Sequence, residues 1–203
     1  MKILIVNKFL YPNGGSETYI FAIGKQLQQM GHEVQYFGME HEGRVVGNRV
    51  DSYTSSMDFH TGAWKKLLYP FKIIYSREAR KKLRIVLNDF EPDAIHLNNF
   101  NFQLTPSIIY EIRKWEKSQK RKVAVVYTAH DSQWVCPNHL MLIPSSKKRC
   151  FECRGGRFGN CARNRCIHDS KLKSLLAMAE AKLYHNLRTY RKVDVVICPS
   201  LFM

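Results

Sequence analysis

Apolar residues along this chain come in two alternating rhythms. The first run, Ile3-Leu4-Ile5-Val6, is short, continuous and rich in β-branched residues, the pattern of a buried parallel strand. A polar loop from Asn7 to Asn13 and the pair Gly14-Gly15 follow it. Tyr19, Ile20, Ile23, Leu27 and Met30 then recur at three- and four-residue spacing, which predicts an amphipathic helix closed by Gly31. His32 to Gly38 alternates and predicts a second strand, with His32 a structural residue at the turn. Glu40 to His60 has no sustained period and predicts loop. Trp64 to Phe90 has a helical pattern that Pro70 breaks or kinks. After the turn Glu91-Pro92-Asp93, Ala94 to Leu97 predicts a third strand, leading into the polar loop Asn98 to Asn101. Leu104 to Trp115 predicts a helix ended by the charged run Lys114 to Lys122. Val123 to Thr128 is the plainest buried strand of the chain, and it delivers Ala129-His130-Asp131. Lys171 to Tyr190 predicts another helix and Val193 to Cys198 a last strand.

Strand–helix alternation of this kind predicts an α/β fold, a Rossmann-like parallel sheet flanked by helices on both faces. Ligands of such sheets lie beyond the carboxyl ends of the strands. Three polar clusters fall there: Gly14-Gly15, His96 with Asn98 and Asn99, and His130-Asp131. The glycine pair opens a helix directly after a strand. Unpaired N–H groups and the positive dipole end at such a place suit an anion, a phosphate above all, and glycine lets it approach the backbone. Gly-Gly alone also fits a tight turn; the convergence of three clusters on one edge carries the ligand reading.

Charge narrows the partners. The 203 residues carry 32 Lys and Arg against 17 Asp and Glu, a net +15. That excess points to nucleic acid, an anionic membrane face or phosphorylated substrates. A 45% hydrophobic content is enough for a sizeable core. No apolar run approaches the roughly 20 residues of a membrane span, and no secretory signal opens the chain, so a cytoplasmic location is expected. Lys65, Lys66, Lys72, Arg77, Arg80, Lys81, Lys82 and Arg84 crowd the Trp64–Phe90 segment. Its stripe Trp64, Leu67, Leu68, Phe71 and Ile74 either packs on the sheet or lies on an anionic membrane surface.

Between Asp131 and Ser170 the alternation breaks. Cys150-x-x-Cys153 and Cys161-x4-Cys166 follow an upstream Cys136, with His139 and His168 as spare ligands. Two close thiol pairs can wrap one tetrahedral zinc, and clustered cysteines in a cytosolic chain favour a metal over disulfides. Disulfides and free thiols remain open. Cys198, at a strand end, reads as a small buried residue.

Four stretches, MKILIVNKFLYPNGGSETYIFAIGKQLQQMGHEV, PDAIHLNN, VVYTAHD and VDVVICPSLFM, resemble the N-terminal half of a GT-B retaining glycosyltransferase of family four. The cysteine segment, 131–170, resembles an insertion found in one subgroup. The resemblance implies sugar transfer from a nucleotide-sugar donor to a glycan or lipid-linked acceptor. It also implies retention of configuration, no cofactor for catalysis, and a place in cell-surface polysaccharide synthesis, peripheral on the inner membrane face. Gly14 and Gly15 match the loop facing the donor's phosphates and sugar, and His130 matches the histidine beside the transferred sugar. His96, Asn98 and Asn99 fall where acceptor contacts sit. Asp131 either orients His130 or caps the following loop. The donor grip, a basic pair and an E-x7-E motif, belongs to a second Rossmann-like domain absent from these 203 residues. Pro199 to Met203 reads as the hinge towards it, and the isolated chain is expected to transfer little. The alternative is a basic zinc module that binds nucleic acid, or a membrane-docking subunit without catalysis. Against the first, no finger spacing C-x2-4-C-x12-H-x3-5-H occurs and the parallel sheet goes unexplained.

Overall fold

Every pairing in the main sheet is parallel in the computed structural model, which describes residues 1–55 and 74–201. The elements run β1 (Lys2–Val6), α1 (Gly15–Gln29), β2 (Glu33–Phe37), α2 (Arg77–Phe90), β3 (Ala94–Leu97) and α3 (Ser107–Gln119). They continue with β4 (Ala124–Thr128), β5 (Leu142–Ile143), β6 (Lys148–Arg149), α4 (Gly159–Arg163), α5 (Lys171–Asn186) and β7 (Val195–Ile197). The five-stranded sheet is ordered β2-β1-β3-β4-β7. Strand order reverses between β1 and β3, so a crevice opens beyond their carboxyl ends. The chain divides into two compact units: Met1–His130 with Lys192–Ile197, and Asp131–Arg191 with the chain from Cys198.

The first unit holds the sheet. Ile3 and Ile5 of β1, Val34 and Tyr36 of β2, Ile20 of α1, Leu10 and Tyr53 form one buried cluster. Burying an aliphatic side chain of this size stabilises by about 2 kcal/mol. α1 ends as Gly31 predicts: Gly31 stands at φ 82, its amide donates to the Gln28 carbonyl, and the His32 amide donates to Leu27. Ser76 caps α2 by accepting from the Ala79 amide at 3.1 Å. The segment from Trp64 to Phe71, with Pro70 and most of the proposed membrane stripe, lies outside the described residues. α2 buries Leu83, Val86, Leu87 and Phe90, and α3 buries Ile108, Ile112 and Trp115. Arg80 and Arg84, each 2.6 Å from Glu111, tie the two helices together. Burial alone would raise the Glu111 pKa; the two guanidiniums hold it below its usual value.

Two expectations needed correction here. α3 begins at Ser107, three residues later than its pattern suggests, and runs on to Gln119 through the charged run. Lysines on a solvent face do not stop a helix; the left-handed Lys120, at φ 52, does. Cys198, expected to be buried, is exposed, as are all three residues of the edge strand β7 that it follows.

The second unit begins where the strand–helix alternation breaks. β5 and β6 form an antiparallel hairpin. Cys153, Phe158, Cys161 and Cys166 make a small buried cluster, against which Ile167, Met178 and Ala181 pack. α5 starts with Ser170 accepting from the Lys173 amide and ends at Asn186, short of the expected Tyr190; a 3-10 turn takes over at Thr189. No helix among the described residues is long and apolar enough to cross a membrane.

Inside α5, Glu180 is buried and its Oε1 has no hydrogen-bond partner among the described residues. Burial pushes its pKa up to about 8 from an ordinary 4.5. The folded unit therefore accepts the neutral acid. Its contribution is whole below pH 4.5 and is lost as pH rises through 8, at about 1.4 kcal/mol per pH unit within that window. Glu180→Gln should flatten this loss in thermal melts recorded across the same range. An unchanged pH slope would show that the carboxyl is solvated.

Candidate active site

The polar groups at the strand ends assemble through buried asparagines. Asn7, just past β1, is fully buried. Its Nδ2 donates to the Phe9 carbonyl at 2.7 Å and to Glu17 Oε1 at 2.8 Å, and its Oδ1 accepts from the Asn99 amide at 2.9 Å. One side chain thus joins the loop after β1, the loop after β3 and the first turn of α1. Glu17 is 2% exposed, and the Ser16 hydroxyl also donates to its Oε1. An acidic residue in the first helical turn suits the dipole there.

Gly14 is the N-cap of α1, in extended conformation at φ −175, with no capping side chain. Neither Gly14 nor Gly15 has a left-handed φ, so this turn does not require glycine for its backbone conformation. Gly15 leaves open space instead: a Cβ there would meet nothing within 4 Å, whereas one on Gly14 would stand 3.4 Å from Glu17 Oε2. By helix geometry the amides of Gly15, Ser16 and Glu17 have no carbonyl partner within the helix.

The second half of the site sits on β3 and β4. His96 Nε2 is 2.7 Å from Thr128 Oγ1, and Tyr19 OH is 3.4 Å from the same oxygen. Asn98 Nδ2 donates to the His96 carbonyl, which turns its Oδ1 to His130 Nε2 at 2.9 Å. An amide oxygen only accepts, so His130 donates to it through Nε2–H. Tyr19 lies edge-on to both imidazoles, with ring centroids 6.0 Å from His96 and 5.1 Å from His130. Asp131 belongs to the second unit. Its Oδ1 accepts from the Gln133 amide at 2.9 Å and its Oδ2 is 3.3 Å from His139 Nδ1, as a loop cap would be.

The family model of glycosyltransferase family 4 matches residues 13–203. The chain belongs to glycosyltransferase family 4. A solved alpha-glucosyltransferase, in complex with UDP and a 13-mer DNA containing a central A:G mismatch, is similar at 14% identity and a TM-score of 0.43. That similarity covers 99% of this chain and 37% of the other, so the chain spans about a third of that protein's length. No curated protein matches the chain.

In this family 4 domain the expected site residues do not play equal parts. Gly14, Gly15 and half-buried His130 remain accessible at the edge, as does Asn99 in part. His96 and Asn98 are only 7% and 1% exposed, so the expectation that they touch an acceptor does not fit their burial. They support His130 from beneath. Four participants escaped the pattern: Asn7, Glu17, Tyr19 and Thr128. Glu17 carried a signal, being an acid three residues after the helix N-cap. Tyr19 was counted into an apolar stripe, and nothing local marks Asn7 or Thr128.

Burial, with His130 nearby as a lesser cause, lowers the His96 pKa to about 4. The folded network holds a neutral ring. Well above pH 6.5 both states are neutral and stability is whole; as pH falls through 6.5 towards 4 the unfolded chain takes a proton that the fold refuses. Thermal stability of the first unit should therefore drop by about 3 kcal/mol between neutral pH and pH 4, and His96→Gln should remove that slope. All six cysteines are free, and among the described residues no three His, Cys, Asp or Glu side chains already stand around a metal position.

Proposed function

We propose that this domain is the acceptor-side half of an enzyme that moves a sugar from a nucleotide-sugar donor to a glycan or lipid-linked acceptor, retaining anomeric configuration. The observation that carries the reading is the junction at the β1/β3 switch: open space at Gly15, in the first turn of α1, beside a His130 fixed by Asn98. In such a transfer the bond between the anomeric carbon and the phosphate oxygen breaks. Positive charge develops on the sugar while negative charge develops on the leaving diphosphate. The first amides of α1 receive the phosphate. His130 Nδ1 accepts a hydrogen bond from a sugar hydroxyl, and Asn99 faces the acceptor. Catalysis is assigned to protein groups without a cofactor, and the nucleotide to a second Rossmann-like domain. Cell-surface polysaccharide synthesis is the setting that fits these substrates.

The outer face of α2, with exposed Arg77 and Lys81 beside Tyr75 and Ile85, supports docking on an anionic cytoplasmic membrane surface where a lipid-linked acceptor lies. The test is a panel of nucleotide sugars given to the full-length enzyme with membrane extracts from its own cells. Nucleoside diphosphate release that needs both donor and acceptor is expected. No release with any donor, together with tight salt-sensitive binding to duplex DNA, would support the nucleic-acid module instead.

A further inference from the structure

Five of the six cysteines line one small cavity in the second unit. Cys136, Cys150, Cys153, Cys161 and Cys166 surround about 10 Å³ of empty space, near the volume a single water needs. The β5–β6 hairpin delivers the chain to Cys150 and Cys153. α4 carries Cys161, and the Cys166 amide folds back onto the Cys161 carbonyl at 3.1 Å. Nothing in sugar transfer uses this concentration of sulfur.

The five are not equivalent. Cys136, Cys153, Cys161 and Cys166 are buried, and Cys150 is half-buried. The Cys161 sulfur interacts with those of Cys166, Cys153 and Cys136, while the less buried Cys150 interacts with Cys136, Cys153 and Cys166 but not with Cys161. Backbone N–H groups of Asn138, Met141 and His139 hydrogen-bond the Cys136 sulfur, and that of Cys161 hydrogen-bonds Cys153. Arg154 lines the same cavity and offers a positive charge beside it.

We propose that this cavity is a soft-metal site that takes one Zn²⁺ on the thiolates of Cys136, Cys153, Cys161 and Cys166, leaving Cys150 outside. The set differs by one ligand from the Cys150, Cys153, Cys161 and Cys166 that spacing suggests. Each of the four thiols gives its proton to solvent as its sulfur bonds the ion. Four protons leave per zinc, and the resulting doubly negative centre is offset by Arg154. The cavity contracts around the ion to bring the sulfurs to about 2.3 Å from it. A unit with so small a core gains order directly from such a site.

Parent chain, Cys136→Ser and Cys150→Ser, each produced with zinc supplied, decide the matter by elemental analysis after dialysis against a chelator. About one zinc per chain is expected in the parent and in Cys150→Ser, and little in Cys136→Ser. Zinc kept by Cys136→Ser but lost from Cys150→Ser would overturn the ligand set. A parent without zinc, whether its thiols titrate freely or Cys161 and Cys166 form a disulfide, would overturn the site itself. If Cys136→Ser does not fold, Cys136→His keeps a metal-binding atom. Loaded with Co²⁺, it should show weaker sulfur-to-cobalt charge-transfer absorption than the parent, and equal absorption would contradict the assignment.

Discussion

Replacing His130 by alanine in the full-length enzyme is expected to lower kcat about 100-fold, close to 2.7 kcal/mol of transition-state stabilisation. The size follows from how firmly the ring is held. Asn98 takes its Nε2–H at 2.9 Å, and the Tyr19 ring stands edge-on against it. A ring held at two places loses little entropy when a sugar arrives, so its hydrogen bond counts nearly in full. The fold should suffer much less. His130 is half-exposed, and its loss leaves one buried acceptor, Asn98 Oδ1, without its donor, at a cost of about 1 kcal/mol. A variant that melts within a few degrees of the parent but turns over 100-fold more slowly is the expected pair of results. Ordinary turnover in a folded His130→Ala enzyme would make the histidine structural.

Gly15→Val should damage turnover at least as much, and for a different reason. A Cβ at this position meets no protein atom within 4 Å, so the folded domain has room for it. The backbone there is not left-handed either, so the substitution brings no φ strain. At the first position of α1 a β-branched residue costs well under 1 kcal/mol. In the proposed function, the space the valine fills is the space through which a phosphate reaches the first amides of α1. Steady-state kinetics should show kcat/KM falling by a factor on the order of 100, with Gly15→Ala intermediate. Equal kcat/KM in parent and Gly15→Val would mean that no donor approaches this helix end.

Much of the frame was legible because continuous apolar runs and glycine punctuation are local signals. β1 to β4 fall within a residue or two of their predicted bounds, and Gly31 closes α1 where its position demands. The C-terminal end of α3 lies beyond the start of the charged run because backbone conformation, here the left-handed Lys120, ends a helix and solvated charge does not. The site was legible in outline, since parallel sheets bring strand ends together. Its wiring was not. Asn7 to Asn99 spans 92 residues and His96 to Thr128 spans 32, and no local pattern records such pairings. The same limit explains the cysteines. Short spacings single out Cys150 beside Cys153, while the fold returns Cys136 to the cavity from a separate turn.

The central claim, that donor and catalytic histidine meet at the β1/β3 switch, is tested most directly by following two resonances in the isotope-labelled full-length enzyme. UDP, GDP and ADP are added in turn while the Gly15 amide and the His130 imidazole are observed. One of the three nucleotides should shift both signals. A nucleotide that binds the enzyme and leaves both Gly15 and His130 unshifted would contradict the account.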